Sequence, residues 1–194
     1  MPAIRIRVFL VAFAFSPLIP LSLMGGSVPK QDSVWKRYLN TEWGYCVSYP
    51  ARWHRGDAFE GSGIFVETGV KRGSSPVGEI DVAALHPETA GPQLSLVDDL
   101  QVHLEGLRKF ERAQHLEVLE QRPIDVAGLS ALFTKERYYD PLERAQWMNE
   151  IVFMRRDGVL YRLELACRAD QLSRFEPAFA RFLGTFQFQC QPPR

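Results

Sequence analysis

The 194-residue sequence lacks an excess of charge of either sign, because 23 Lys and Arg residues balance 23 Asp and Glu residues. A neutral chain produces no long-range field that would attract a nucleic-acid backbone or an anionic membrane surface. The remaining composition, with 46% hydrophobic and 24% charged residues, is that of a globular domain. We therefore expect one globular domain that does not bind nucleic acid.

Sequence motifs for catalysis and for cofactor binding are also missing. The four histidines stand singly in the sequence, whereas a metal site needs ligands at spacings that let them face one ion. The chain contains no Walker loop, no glycine-rich dinucleotide turn and no Cys-x-x-Cys. The sequence thus predicts no catalytic residue, no metal and no cofactor.

The N-terminus has the pattern of a secretory signal. Arg5 and Arg7 precede the apolar run Val8 to Phe15, and small residues at 25–27 provide a cleavage site after Ser27. This pattern predicts a signal peptide over 1–27, a linker over 28–37 and a single domain over 38–190. Export would place that domain in the periplasm or outside the cell.

An uncleaved membrane anchor over residues 8–24 is the alternative interpretation of the N-terminus. No charge occurs between Arg7 and Lys30, and a membrane-spanning helix needs about 20 apolar residues. Pro17 and Pro20 interrupt the segment and favour the cleaved signal. Contact with a membrane is expected only through this segment, and only if it is retained.

Three cysteines, Cys46, Cys167 and Cys190, allow one disulfide bridge in an oxidising compartment. A helix of about 14 residues after Cys167 would run about 21 Å. A strand from Thr185 to Cys190 would return about 20 Å. These lengths favour a bridge between Cys167 and Cys190, while other pairings and three buried thiols stay open.

Alternation and helical periodicity divide the chain into strands and two helices. In the first half the strand candidates are Gly44 to Tyr49, Ile64 to Thr68 and Glu79 to His86. A helix follows Ser95, which is placed as an N-cap with Asp98 three residues later. Its buried stripe is Leu96, Leu100, Leu104 and Leu107, and we expect Val97 and Phe110 to widen that stripe.

The second half predicts an antiparallel meander followed by a helix. The expected strands are Leu116 to Val126, Leu129 to Tyr139, Gln146 to Arg155 and Val159 to Cys167. Asp157-Gly158 favours a tight hairpin between the last two strands. The final helix spans about Asp170 to Leu183, and Pro177 predicts that it either begins near Glu176 or is kinked. The pattern is that of an α+β domain with an antiparallel sheet flanked by helices.

The order of these elements resembles that of the PsbP-like proteins. The resemblance rests on the Gly-Tyr-x-Val-x-Tyr-Pro-x-x-Trp core within Tyr38 to Trp53, on the Val-x-Gly-Leu-x-Ala turn at Val126 to Ala131, and on the closing helix before Thr185-Phe186. It covers about Tyr38 to Phe188. The resemblance implies an antiparallel sheet sandwiched between helices, in a superfamily whose members are mostly accessory or binding proteins.

Two groups of residues are candidate binding surfaces. The first is a set of charges on neighbouring strands that would bind a polar ligand, although cross-strand charge pairs also stabilise sheets: Lys135, Arg137, Glu150, Arg162 and Glu164. The second combines aromatic and basic residues that would contact a protein partner, although a buried Trp with solvated neighbours has the same pattern: Trp53, His54, Arg55, Lys71 and Arg72.

The sequence therefore predicts an exported, monomeric, non-catalytic accessory domain that binds a small polar ligand or an unknown protein. One alternative is an envelope enzyme, hydrolase-like, with a cleft where two or more of Glu136, Glu150, Glu164 and His54 meet with perturbed pKa values. The other alternative is a subunit of a larger membrane-associated complex, which would expose a large apolar patch.

Overall fold

The computed structural model describes residues 34–57, 64–68, 78–85, 94–188 and 190. The predicted signal peptide, the alternative anchor and most of the predicted linker lie outside this part. The described strands are β1 Trp35–Asn40, β2 Tyr45–Pro50, β3 His54–Asp57, β4 Ile64–Thr68, β5 Gly78–Leu85, β6 Gln114–Val126, β7 Leu129–Asp140, β8 Ala145–Arg156, β9 Val159–Arg168 and β10 Gln187–Phe188. The described helices are α1 Leu96–Lys109 and α2 Leu172–Thr185.

The strands form two antiparallel sheets, and the α+β class with helices against antiparallel sheet is confirmed. The larger sheet has seven strands in the order β3-β4-β5-β9-β8-β7-β6, and it contains the predicted meander. The smaller sheet has the order β1-β2-β10. This second sheet was not predicted, because it joins the first and last described strands. Its first strand begins at Trp35, inside the segment interpreted as a linker.

Two hairpins of the meander close as the turn residues predict. Ala127 and Gly128 have positive φ angles of 52° and 77°, and Asp157 and Gly158 have 51° and 82°. Positive φ at both central positions is the geometry that matches the twist of the flanking strands. The strands therefore pair without a gap, so that Val159 lies opposite Arg156.

Helix α1 begins with the predicted capping box. The Ser95 side chain accepts a hydrogen bond from the Asp98 backbone N–H, and the Asp98 carboxylate accepts one from the Ser95 backbone N–H. Leu100, Leu104 and Leu107 are buried as predicted. Val97 and Phe110 do not widen this stripe, since they are 46% and 76% exposed.

Helix α2 continues through its proline. A turn of 3-10 helix, Ala169–Gln171, precedes it, so the prediction that the helix begins near Glu176 is wrong. Pro177 lies on the exposed side of the helix. Its missing N–H therefore leaves the carbonyl of Ser173 on a side where water can solvate it. The buried side carries Phe175, Phe179 and Phe182.

The main apolar core lies between α2, the small sheet and one face of the large sheet. Trp53 belongs to it and meets Phe175 edge to face at a centroid distance of 5.7 Å. The other buried members come from seven strands, from α2 and from the residue that follows α2: Tyr45, Val47, Tyr49, Ile64, Ile80, Val82, Ala84, Val126, Ala131, Phe133, Met148, Val152, Met154, Tyr161, Leu163, Leu165, Cys167, Phe179, Phe182 and Phe186. Two smaller apolar clusters lie under α1.

A disulfide is present, but it joins Cys46 to Cys190 with a Cα–Cα distance of 5.9 Å. The predicted pairing of Cys167 with Cys190 is wrong, because β10 returns beside β2 and not beside β9. Cys167 is a buried free thiol in the core. The bridge links positions 144 residues apart in the chain.

Neither helix in the described part of the chain has the length and apolarity that crossing a membrane requires.

Candidate ligand-binding cleft

The register of the large sheet places buried polar side chains on the face that α1 covers. Asp81 on β5 lies directly opposite Glu164 on β9, and Glu136 on β7 lies opposite Asn149 on β8. Glu136, Asn149 and Glu164 are all buried. Polar groups thus occupy the centre of this face, where an α+β domain ordinarily has apolar packing.

An ion pair and a leucine stripe fix α1 over this face. The guanidinium of Arg155 on β8 donates to both carboxylate oxygens of Asp99, at 2.9 and 2.6 Å. Asp99 lies in the first turn of the helix, where a negative charge also interacts favourably with the helix dipole. Leu100 and Leu104 pack against Ile151 and other apolar residues of the sheet.

His103 points from α1 into the polar centre of the face. Its Nε2 lies 3.2 Å from Glu136 Oε2, and the hydroxyl of Thr134 donates to Glu136 Oε1 at 2.8 Å. Burial lowers the pKa of His103, but the hydrogen bond with Glu136 and the charges of Glu164 and Glu136 outweigh it and raise the pKa above its usual value. His103, when protonated, forms a partly buried ion pair with Glu136 under the helix.

A second network surrounds Arg162. Its Nη2 lies 3.4 Å from Asp81 Oδ2, and its Nε lies 3.3 Å from Glu164 Oε2. The amide of Asn149 donates to the other oxygen of Glu164 at 2.9 Å. One guanidinium thus sits between two carboxylates on neighbouring strands.

Burial and like charges raise the pKa of two carboxyl groups here. Burial raises the pKa of Asp81 to about 7, against the opposing effect of Arg162, and the charge of Glu164 raises it further. Burial also raises the pKa of Glu111, as does the charge of Glu164. Burial is the largest cause of both shifts, because it disfavours the ionised form of a carboxyl group.

The networks border a cleft of about 550 Å³ between the C-terminal half of α1 and the sheet. Tyr138 and Trp147 form part of its wall, and Val102 and Phe110 lie at its helix side. The volume falls within the range of small-molecule sites. Its lining mixes aromatic surface with charged and amide groups.

Several buried polar atoms of the cleft have no hydrogen-bond partner in the described part of the protein. They are Asp81 Oδ1, Asn149 Oδ1, Trp147 Nε1 and Arg162 Nε. Arg162 Nε is ion-paired with Glu164, but not in the alignment of a hydrogen bond. Unpartnered buried polar atoms are rare in native proteins, since each costs about 1 to 3 kcal/mol. All four belong to residues that line this one cleft.

The structure divides the five charged residues that were predicted to bind a ligand. Arg162 and Glu164 line the cleft. Lys135 and Glu150 lie on the opposite face, where the Lys135 ammonium pairs with Glu150 at 3.0 Å and with Glu176 of α2 at 2.7 Å. Arg137 makes an exposed ion pair with Glu117 at 2.7 Å.

The predicted partner surface does not include Trp53, because that side chain is buried in the core against Phe175. His54 and Arg55 are exposed on β3, with the Arg55 guanidinium 5.7 Å from the centre of the Tyr38 ring. Lys71 and Arg72 lie outside the described residues. A partner surface at these basic positions stays a prediction.

The residues considered for an enzyme are likewise separated. Of Glu136, Glu150, Glu164 and His54, all of which are described, Glu164 alone lines the cleft. Glu136 is buried beneath His103, and Glu150 faces α2. His54 lies on β3 at the far edge of the sheet.

Sequence reasoning missed His103, Asp81, Asn149 and Trp147. His103 does carry a signal, because it follows Leu100 by three residues and precedes Leu107 by four, so it lies on the buried stripe of the helix. The sequence gives no such signal for Asp81 and Asn149, because the pairing of β5, β8 and β9 determines that they face the cleft.

The class of this domain is thus an antiparallel α+β sandwich with a polar cleft under one helix. Its fold is PsbP-like. The solution structure of cyanobacterial PsbP (CyanoP) from Synechocystis sp. PCC 6803 is similar, with a TM-score of 0.59 and 16% identity over 87% of this chain and 99% of that chain.

A second similar structure is that of LpqN, which is involved in cell envelope biogenesis of Mycobacterium tuberculosis. Its TM-score is 0.53 at 12% identity, over 79% of this chain and 90% of that chain. At these identities the likeness shows the fold alone. No protein-family model matches the chain, and no curated protein matches it in sequence.

Proposed function

We propose that this protein is an exported, non-catalytic accessory domain that binds a small polar ligand in the cleft under α1. The observation that carries the proposal is the convergence of Asp81 Oδ1, Asn149 Oδ1 and Trp147 Nε1 on a cleft of about 550 Å³, since none of these atoms has a hydrogen-bond partner among the described residues. A ligand with complementary donors and acceptors would satisfy these atoms and recover the cost of burying them.

Export is supported by the N-terminal pattern and by the disulfide between Cys46 and Cys190, since such bridges persist in oxidising compartments. The structurally similar LpqN is involved in cell envelope biogenesis, which agrees with this location. Intact mass measurement of the protein from the cell envelope tests it. We expect a chain that begins at Val28 with one disulfide, and a full-length reduced chain from the cytoplasm would contradict export.

Ligand binding is tested by a thermal-unfolding screen against amino acids, amines, sugars and dicarboxylates. We expect at least one compound class to raise the melting temperature, because a ligand that binds the folded state alone stabilises it by mass action. The Trp147→Phe variant removes the indole N–H of the cleft while keeping an aromatic ring. We expect it to lose most of the ligand-induced shift.

The matched control is Trp35→Phe, which makes the same chemical change on β1, outside the cleft. It should keep the full ligand-induced shift. A wild-type protein that no compound stabilises, or equal shifts in the two variants, would contradict binding in this cleft.

A further inference from the structure

The charges around the cleft define the class of ligand, and this inference rests on the proposed function. Six carboxylates belong to its lining: Glu79, Asp81, Glu111, Asp140, Glu143 and Glu164. The cationic side chains of the described lining are Arg162 and His103. The lining therefore carries a net negative charge even when His103 is protonated.

The two cations are already engaged by carboxylates of the protein. Arg162 lies within 3.4 Å of both Asp81 and Glu164, and His103 pairs with Glu136, a residue behind the lining. An anionic ligand would have to compete with these carboxylates and would add to their charge. A cationic ligand would share Asp81 and Glu164 with Arg162, but the net negative charge of the lining attracts it.

The buried atoms without partners give an observation independent of charge. Asn149 is 1% exposed, and its Oδ1 is an acceptor that no described N–H or O–H reaches. Asp81 Oδ1 is a second such acceptor in the same cleft. Acceptors are satisfied by N–H or O–H donors on the ligand. A quaternary ammonium ion has none, so charge complementarity by itself is not sufficient.

The wall of the cleft suits an organic cation better than a metal ion. Tyr138 and Trp147 present aromatic surface, which attracts cations through the ring face. In the part of the chain that the structure describes, no group of three or more His, Cys, Asp or Glu side chains is placed to hold a metal ion. We propose that the cleft binds a small organic cation with N–H donors, which is an ammonium or guanidinium compound.

Calorimetric titration with three four-carbon probes tests this proposal. Putrescine carries two ammonium groups, 1,4-butanediol has two neutral hydroxyls at the same spacing, and succinate has two carboxylates. Tetramethylammonium supplies positive charge without N–H donors. We expect saturable binding of putrescine and at least tenfold weaker binding of the other three.

The Asp81→Asn variant should weaken putrescine binding at least tenfold, because it removes a charge that faces the cleft. Glu117→Gln is the control, since it removes one negative charge from an exposed position on β6, outside the cleft. It should change the affinity less than twofold. Trp147→Phe provides a second cleft variant if Asp81→Asn does not fold.

Each outcome bears on the proposal. Succinate or butanediol binding as tightly as putrescine would overturn the assignment of a cation and leave ligand binding in place. Tetramethylammonium binding as tightly would overturn the requirement for N–H donors. If no ammonium or guanidinium compound binds while a neutral or anionic compound in the thermal screen does, the assignment of a cation is wrong. If none binds, the proposed function fails with it.

Discussion

The two faces of the seven-stranded sheet differ in what they bury. The face toward α2 is covered by an apolar core, in which Phe175, Phe179 and Phe182 lie with aliphatic side chains of β4, β5, β6, β7, β8 and β9. The ion pair between Lys135 and Glu150 lies beside this core. The face toward α1 buries Glu136, Asn149 and Glu164 between two separate apolar clusters. Apolar packing on the α2 face stabilises the fold, whereas the α1 face has polar groups around a cleft in place of such packing.

Energetics support this division. Each buried methylene on the α2 face contributes about 0.8 kcal/mol, whereas an unpartnered polar atom costs about 1 to 3 kcal/mol. An α1 face built for stability would have apolar residues at Asp81 and Asn149, since apolar side chains often replace buried polar groups without loss. We infer that the polar residues serve binding and that the α2 face supplies the stability they require.

Removal of the disulfide should give the largest loss of stability, because the bridge holds β10, the strand that follows α2, beside β2. The bridge joins positions 144 residues apart, so it strongly restricts the conformations of the unfolded chain. We expect Cys190→Ser to lower the free energy of unfolding by about 4 kcal/mol. Urea unfolding of the oxidised wild type and the variant measures the difference.

Cys46→Ser should give the same loss as Cys190→Ser, and the double variant should add little, because all three proteins lack the same bridge. Reduction of the wild type should reproduce the loss. Equal unfolding midpoints for oxidised wild type and Cys190→Ser would show that the bridge contributes nothing.

Substitution of one glycine on each face should change stability in opposite directions. A Cβ at Gly78 would lie 2.7 Å from a ring carbon of Phe175, so Gly78→Ala should cost about 2 kcal/mol through overpacking. A Cβ at Gly106, on α1, meets nothing within 4 Å. Gly106→Ala should therefore gain about 0.5 to 1 kcal/mol from helix propensity.

Thermal or urea unfolding of the two variants beside the wild type tests this contrast. A loss at Gly106 as large as that at Gly78 would mean that the α1 face is packed as tightly as the α2 face. In that case the cleft would have no room for a ligand.

Local patterns in the sequence predict the meander, its hairpins and both helices. Alternation marks each strand, and the Asp157-Gly158 turn fixes the register of β8 against β9. The small sheet escaped prediction because β10 pairs with β2 across 140 residues of chain, and no local signal specifies that partner. The disulfide was assigned to Cys167 for the same reason.

Of the five charged residues that the sequence offers as a ligand site, Arg162 and Glu164 lie at the cleft, on one face of β9. Glu150 was placed with them, but Ile151 is the residue opposite Glu164. A shift of one residue in register moves a side chain to the other face. Residue type therefore shows that a strand carries a charge, whereas the register determines on which face of the sheet that charge lies.

Asp81→Asn should change stability by an amount that depends on pH. Burial raises the pKa of Asp81 from 3.8 to about 7, so the folded state binds the proton more tightly than the unfolded state. The contribution of Asp81 to stability is thus complete below pH 3.8 and is lost as the pH rises to about 7. We expect Asp81→Asn to be more stable than the wild type at pH 8, where the wild-type carboxyl must be ionised while buried, and to match it near pH 4.

Urea unfolding of both proteins between pH 4 and 8 measures this difference. The groups that act on Asp81 are Arg162 and Glu164 from β9 and His103 from α1, and all three are present in both proteins. Asp125→Asn makes the same change on an exposed position of β6 and should alter stability by less than about 0.5 kcal/mol. A wild type that is more stable than Asp81→Asn at pH 8 would show that the ion pair with Arg162 outweighs burial. The α1 face would then be stabilised by its charges, and the contrast with the α2 face would no longer indicate a binding site.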